Sequence, residues 1–149
     1  CDLGFAVYGS KSYLARNGRP AELEDVSEHD LIVHNRDRLF YFEPLNWTID
    51  QCQPRTIPMV TNCLRSMMDA ARQDVGLAVL PCLLADREPE LVRVIGGHNE
   101  MVQRFWIYMH REVRKNPEVR QFIEFFTKWA KRNSSVLLGD GRDKSSAPN

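Results

Sequence analysis

The feature that most constrains the fold is an uninterrupted apolar run, GLAVL at residues 76–80, followed by Pro81. A strand that is apolar on both sides has to be covered on both faces, as in a parallel or mixed sheet flanked by helices. The preceding segment predicts a helix, because its apolar residues recur at helical spacing: Leu64, Met67, Met68 and Ala71. Together they indicate an α/β fold.

The remaining sequence repeats this alternation of strand and helix. Strands are predicted at residues 3–8, 31–33, 56–60, 91–95 and 102–109. Helices are predicted at residues 11–16 with Ser10 as N-cap, at 20–25, at 82–85 and from Asn116 onward. Residues 35–56 are less regular, and we expect one or two strands there, interrupted by prolines. The evidence is the aromatic and apolar set Tyr41, Phe42, Trp47 and Ile49, with Pro44 and Pro54 as breaks.

The last predicted helix begins at Asn116-Pro117-Glu118, a cap, a proline and an acid in the order that helix starts favour. Its large apolar face is expected to pack against another surface of the protein, because burial of each such side chain stabilises the folded state by about 1.5–3 kcal/mol. The face comprises Val119, Phe122, Ile123, Phe126, Trp129 and Ala130. From residue 133 the composition turns to Ser, Gly, Asp, Lys and Pro, which predicts a folded part over 1–132 and a disordered tail over 133–149.

Composition excludes several classes of protein. The chain has 149 residues, 43% of them apolar and 27% charged, as in a globular domain and unlike a disordered chain. Twenty basic residues balance twenty acidic ones, so there is no net field to hold nucleic acid. The sequence contains no run of 18 apolar residues, which is about the length that a membrane-spanning helix needs. Four cysteines at this size do not suggest a disulfide scaffold, which favours a reducing, cytoplasmic location.

Residue motifs of catalysis and metal binding are missing from the sequence. The histidines at 29, 34, 98 and 110 and the cysteines at 1, 52, 63 and 82 do not have metal-ligand spacing. There is no GxSxG motif, and Gly96-Gly97 is not followed by the lysine and helix of a phosphate loop. We therefore expect no enzymatic activity, no metal and no cofactor. Cys82, within an apolar run, is expected to be a core residue.

Two places remain as candidate binding residues. Thr61-Asn62 follows a predicted strand and precedes a helix, and backbone N–H groups at such a helix start bind carboxylates. The ordinary alternative is simple N-capping, a contribution of about 1 kcal/mol, and the residue types alone favour it. His34 and Asn35 directly follow the predicted strand 31–33, where open α/β sheets present ligand-facing groups. A surface or structural role for His34 is the alternative.

Several segments in order resemble the effector-binding domain of LysR-type transcriptional regulators. They are YLARNGRP at 13–20, LEDV at 23–26, HDLI at 29–32, VGLAVLPCLLAD at 75–86, ELVRV at 90–94, FWIYMH at 105–110 and NPEVRQFIEFF at 116–126. The resemblance extends from about residue 4 to residue 130. There is one clear departure, because Gln73-Asp74 stands where the family usually has Ala-Gly.

The resemblance implies a lobe like those of type 2 periplasmic binding proteins, with a mixed sheet and flanking helices, plus the return strand and C-terminal helix of the other lobe. It implies that a small molecule, commonly a carboxylate or aromatic acid, binds between the lobes and controls a DNA-bound dimer or tetramer. By position, Thr61 and Asn62 match the family's ligand-facing helix start, and His34 and Asn35 are weaker candidates. DNA would be contacted only through a winged helix-turn-helix domain that is not in this sequence.

The same resemblance implies that the aromatic helix packs on a first lobe that this sequence mostly lacks. Phe122, Phe126 and Trp129 are therefore expected to form an exposed or repacked apolar face, which would promote aggregation. Two alternatives stay open: a lobe of a solute-binding transport protein with the same fold, and a stand-alone interaction module.

The reading frame upstream of Cys1 distinguishes these possibilities. We expect it to continue into a winged helix-turn-helix domain, as a LysR-type regulator requires. A signal peptide there would instead indicate a transport protein, and a nearby start codon a stand-alone lobe. Sequencing the DNA on the 5′ side of the Cys1 codon is the measurement.

Overall fold

The computed structural model of the chain describes residues 1–35, 43–97 and 99–140. Its strands are β1 Asp2–Ser10, β2 Leu31–His34, β3 Val60–Thr61, β4 Leu77–Pro81, β5 Leu91–Ile95 and β6 Val102–Arg104. Its α-helices are α1 Lys11–Asn17, α2 Glu43–Gln51, α3 Leu64–Arg72, α4 Cys82–Ala85, α5 Pro117–Arg132 and α6 Ser134–Leu138. Short 3₁₀ turns lie at Glu24–Glu28, Asn99–Met101 and Val113–Lys115.

The strands form a mixed sheet in the order β3-β2-β4-β1-β5. β2 is parallel to both β3 and β4, whereas β1 runs antiparallel to β4 and to β5. β4 lies in the middle of this sheet and every residue of it is buried, which confirms the prediction made from the apolar run. The mixed sheet with helices packed against it confirms the predicted α/β architecture.

The first three residues of β1 pair with β6, a sixth strand that lies off this linear order. Asp2 lies opposite Arg104, and their side chains form an ion pair with an Arg104 Nε to Asp2 Oδ1 distance of 2.8 Å. The ladder continues for one more step, because the Phe105 N–H donates to the carbonyl oxygen of Cys1 at 2.8 Å. We call Asp2–Gly4 together with Val102–Arg104 the β1–β6 ribbon.

Helix positions that depend on local signals agree with prediction. Met67, Met68 and Ala71 of α3 are buried on the sheet, as their spacing predicts. The side chain of Ser10 accepts a hydrogen bond from the Tyr13 N–H and caps α1. Asn116 caps α5 in the same way, and Cys82 is buried as expected.

The strands predicted within residues 35–56 are wrong, because Glu43–Gln51 forms helix α2. Trp47 and Ile49 lie on this helix, and their partly buried side chains pack against the core. Pro44 does not interrupt a strand. It occupies the first turn of the helix, where a missing backbone N–H has no cost. The aromatic residues Tyr41 and Phe42, also assigned to that strand, lie outside the described residues.

Three other element boundaries differ from prediction. The strand predicted over 102–109 is assigned only over Val102–Arg104, and the pairing ends one residue later at Phe105. Of the strand predicted over 56–60, only Val60 belongs to a strand, β3, although Thr56 forms an isolated bridge with Asp30. The helix expected at 20–25 is a 3₁₀ turn at Glu24–Glu28, because the Asp25 carboxylate accepts the N–H groups of Ala21 and Glu22 before it.

The tail predicted to be disordered from residue 133 contains helix α6. Leu137 in this helix is only 5% exposed, so the segment has an apolar anchor that its polar composition concealed. The prediction of disorder is therefore wrong for residues 134–138. Residues 141–149 lie outside the described residues.

Asp74, at the family's usual glycine position, takes the left-handed backbone conformation that glycine favours, with φ of 64°. Its carboxylate accepts hydrogen bonds from the hydroxyls of Ser10 and Ser12 and pairs with Arg16. These contacts lower the pKa of Asp74 and tie the exit of α3 to the start of α1. The side chain thus provides contacts that a glycine could not make.

His29 is buried beside Tyr13, with 5.8 Å between the ring centroids. Among the described residues its Nδ1 has no hydrogen-bond partner. Burial lowers the pKa of His29 below the ordinary value, and the positive charge of Arg55 lowers it further. Protonation is therefore less favourable in the folded chain than in the unfolded chain.

We predict that the chain loses stability as the pH falls through about 6.5, the ordinary histidine pKa, because the unfolded state then binds a proton that the folded state does not. The contribution of His29 is complete above that pH. His29→Phe keeps a ring against Tyr13 without a titrating group and should flatten the profile between about pH 7 and pH 5. Urea unfolding at several pH values measures how the free energy of unfolding depends on pH. The exposed His110→Asn is the control, and an equal slope in wild type and H29F would contradict the prediction.

Candidate functional site

The candidate residues meet at the edge of the sheet where the parallel strands β2 and β3 end. His34 lies opposite Thr61 in the register of these strands. The Asn35 N–H donates to the carbonyl oxygen of Thr61 at 2.8 Å, so the pairing continues one residue beyond β2. Carboxyl ends of parallel strands form the ligand-binding edge of open α/β sheets. The structure thus brings His34, Asn35 and Thr61 together.

Thr61 and Asn62 connect this edge to α3, although neither is the N-cap. The N-cap residue is Cys63. Thr61 Oγ1 accepts a hydrogen bond from the Cys63 N–H at 3.3 Å, which fixes the turn into the helix. Asn62 is exposed beside it. The predicted capping role of Thr61-Asn62 is therefore wrong in detail, and the Asn62 side chain stands at the solvent-facing start of α3.

The pKa of the Cys63 thiol indicates whether the start of α3 favours a negative charge. The pKa of its thiol is lowered by the backbone N–H of Ser66, then by the Ser66 hydroxyl and the N–H of Arg65. These groups stabilise a negative charge at this point, as helix N-termini do. Cys63 was not among the predicted binding residues, because capping preferences do not include cysteine.

His34 is buried at the end of β2, and its Nδ1 lies 3.2 Å from the carbonyl oxygen of Asn35. It therefore offers little surface to a ligand in this conformation. Asn35, Thr61 and Asn62 retain accessible surface at the same edge. The four predicted residues are therefore close together in the structure, but a ligand can reach three of them more easily than it can reach His34.

An open groove of about 750 Å³ lies along the β1–β6 ribbon, between Glu43 and Trp106. Gln103 lines it, and its Oε1 accepts the N–H of Glu43 at 3.0 Å, so the ribbon contacts the start of α2. Gln103 was not predicted as a functional residue, because its partner Glu43 lies in a segment predicted to form strands rather than the start of a helix. The sequence signal that could have identified α2 is Glu43-Pro44, an acid and a proline in a first helical turn.

Of the predicted aromatic face, Phe122 and Trp129 are exposed, the latter by 40%, whereas Phe126 is half-buried. Phe122 is 60% and Phe125 65% exposed on α5, and Tyr108 in the preceding segment is 87% exposed. A further open groove of about 840 Å³ separates residues 107–109 from α5. Phe122, Phe126 and Trp129 stack along the helix with centroid distances near 6 Å, so they cover one another only in part.

Within the described ranges, no group of three or more His, Cys, Asp or Glu residues could hold a metal ion. None of the helices in those ranges is long and apolar enough to cross a membrane.

The sequence model of the LysR substrate binding domain matches residues 1–131. The chain belongs to this family. Comparison with curated proteins gives no match. The family assignment confirms the resemblance drawn from the sequence, and it is a family of domains found in transcriptional regulators.

Solved structures show the same fold. The regulatory domain of CrgA, a LysR-type transcriptional regulator from Neisseria meningitidis, has a TM-score of 0.62 and 16% identity, over 86% of this chain and 65% of that one. Full-length AphB, a virulence activator of Vibrio cholerae, has a TM-score of 0.61 and 14% identity, over 87% and 46%. The effector binding domain of QuiR in complex with shikimate has a TM-score of 0.54 and 15% identity, over 88% and 63%.

These likenesses confirm the predicted fold class, that of a type 2 periplasmic-binding-protein-like domain. The chain spans about two thirds of the CrgA regulatory domain and less than half of full-length AphB.

We predict that Cys63 reacts with a thiol reagent faster than an ordinary cysteine at neutral pH, because the start of α3 stabilises its thiolate. The rate of iodoacetamide modification at Cys63, followed by mass spectrometry from pH 6 to pH 10, should have a midpoint below the ordinary value of about 8.5. In urea the midpoint should return to that value. Identical midpoints in the folded and unfolded chain would show that the helix start exerts no such field.

Proposed function

We propose that this chain is the effector-sensing part of a bacterial LysR-type transcription regulator. A small molecule binds in a cleft between two lobes, and one wall of that cleft is the edge formed by Asn35, Thr61 and Asn62. The ligand changes the equilibrium between two arrangements of a DNA-bound oligomer through its different affinity for each. His34 supports this wall from its buried position.

The observation that carries the proposal is the convergence of polar groups on the start of α3. Asn35 and Thr61 are joined by a backbone hydrogen bond, and Asn62 follows at the solvent-facing end. The lowered pKa of Cys63 supports an environment that favours negative charge. A carboxylate or aromatic acid is the ligand class that such backbone and amide donors bind best. The shikimate bound to the QuiR domain belongs to this class.

The exposed aromatic face supports a two-lobed protein. In this proposal, Phe122, Phe125 and Trp129 of α5 and the extended residues 105–110 complete a first lobe whose other elements lie elsewhere in the protein. Covering the three aromatic side chains would contribute about 1.5–3 kcal/mol each. The chain alone then presents half of the cleft and should bind effector weakly.

The remaining parts of the proposal concern the whole protein. It acts in the cytoplasm, associates into dimers or tetramers, and contacts DNA through a winged helix-turn-helix domain rather than through this chain. It is a binding protein without catalytic activity of its own. The family match favours a regulator over the transport alternative. A stand-alone interaction module remains the competing proposal.

The test uses the protein encoded by the complete reading frame, with wild type screened against a panel of small carboxylates, shikimate and benzoate included, by isothermal titration calorimetry. Against a carboxylate that binds, we predict that Asn62→Ala and Thr61→Val each weaken binding about tenfold or more, because each removes a hydrogen bond to a charged ligand.

Asn17→Ala is the matched control, since Asn17 is exposed at the end of α1, near the opposite edge of the sheet. Its affinity should equal that of wild type. Unchanged affinity in both cleft variants would reject this wall as the site. Absence of binding by any carboxylate to a protein that contains both lobes would reject the ligand class.

A further inference from the structure

The helix α6 lies beyond residue 131, where the match to the family ends, and it packs back onto the sheet. Its neighbours are β1, α4 and the end of α5. Leu137 is buried there, whereas its neighbour Val136 is 47% exposed. This short helix therefore packs through one face only, against the start of β1 near Gly4.

The β1–β6 ribbon has two faces, and each is held by a different helix. Leu3 pairs with Gln103, and Gly4 pairs with Val102, so these two pairs point to opposite sides of the ribbon. On the Gln103 side the contact is with α2, through the N–H of Glu43. On the Gly4 side the contact is with α6, so close that a methyl group at Gly4 would overlap the carbonyl oxygen of Leu138.

Arg93 of β5 forms a hydrogen bond with the residue that ends α6 and so connects this helix to the sheet. The Arg93 Nη1 donates to the carbonyl oxygen of Gly139 at 2.9 Å, and the same guanidinium pairs with Asp86. Tyr8 completes the cluster, since its hydroxyl donates to Asp86 at 2.7 Å. Gly139 caps the helix with φ of 78° and leaves no room for a side chain. A Cβ there would lie 2.6 Å from the Cβ of Cys82 and 2.7 Å from Arg93 Nη2.

We propose that α6 is a latch that holds the β1–β6 ribbon in one orientation against the sheet, and that release of α6 allows the two to move relative to each other. The ribbon joins the sheet, with its candidate cleft wall, to the exposed segment 105–110 and α5. Its orientation therefore sets the position of one part relative to the other. The regulatory meaning of this movement rests on the proposed function, whereas the latch itself does not.

Two buried cysteines allow the latch to be measured. Cys82 lies directly beneath Gly139, and Cys52 lies at the end of α2, on another part of the core. A short pulse of N-ethylmaleimide, followed by mass spectrometry, gives the modification rate of each thiol in the same sample. Cys82 reports opening of α6, and Cys52 reports general unfolding. Neither effector nor DNA is present, so the result is independent of whether the proposed function is correct.

Leu137→Ser removes the apolar anchor of α6, and Val136→Ser makes a comparable change on its exposed side. We expect at least a tenfold faster modification of Cys82 in L137S, with Cys52 unchanged and with V136S equal to wild type. Gly139→Ala should act in the same way through its steric overlap. Its control is Gly18→Ala, where φ is 86° but no atom lies within 4 Å of the added carbon.

Hydrogen exchange of the ribbon amides is measured on the same variants. Cys1 and Phe105 exchange both backbone hydrogen bonds, so the next pair bonded across the ribbon is Leu3 with Gln103. The proposal expects faster exchange of the Leu3 and Gln103 amides in L137S and G139A, with the amides of β2 and β4 unchanged. Faster modification of Cys82 with unchanged ribbon amides would overturn it, because α6 would then cover the core without holding the ribbon. It would also be overturned by equal increases at Cys82 and Cys52, or by no increase at either.

Discussion

The rest of the structure depends on the backbone pairing of β1, which takes part in two different ladders. Residues 5–8 pair with β4 and residues 7–10 with β5, whereas Asp2–Gly4 pair with β6. Buried backbone groups have to be paired, so this strand fixes the sheet and the ribbon at once. Its register shifts between Val7 and Tyr8, where the pairing with β5 changes.

Elements whose signals are local were predictable from sequence. The apolar run that forms β4, the stripe on α3 and the caps Ser10 and Asn116 depend on residues within a few positions of one another. Those that were missed depend on distant partners. Helix α2 completes its N-terminus through Gln103, sixty residues away, and α6 is seated by Arg93 and Gly4. Residues 105–109 alternate like a strand, but a strand forms only when another strand lies beside it.

The candidate site was predictable only in part, for a similar physical reason. Resemblance to the family indicated Asn35, Thr61 and Asn62, and the register of two parallel strands brings the first two together. Burial of His34 and the position of Cys63 at the start of α3 follow from the exact path of the chain. A shift of one residue in that turn would exchange the capping residue. Neither propensity nor resemblance specifies a turn to that accuracy.

In the proposed function, the ribbon is the part of the structure through which binding at the sheet edge would act on the aromatic face of α5. It is only two strands wide, and such a pair is marginally stable by itself. Contacts on both of its faces, from α2 through Gln103 and from α6 through Gly4, therefore decide its orientation. Asn35 of the candidate wall and Glu43, whose N–H donates to Gln103, lie on the same side of the ribbon strand β6 in the sequence. In the proposed function, a ligand that alters the contact between Glu43 and Gln103 would change one of the two contacts, and the balance between them would then determine where α5 and its aromatic face lie.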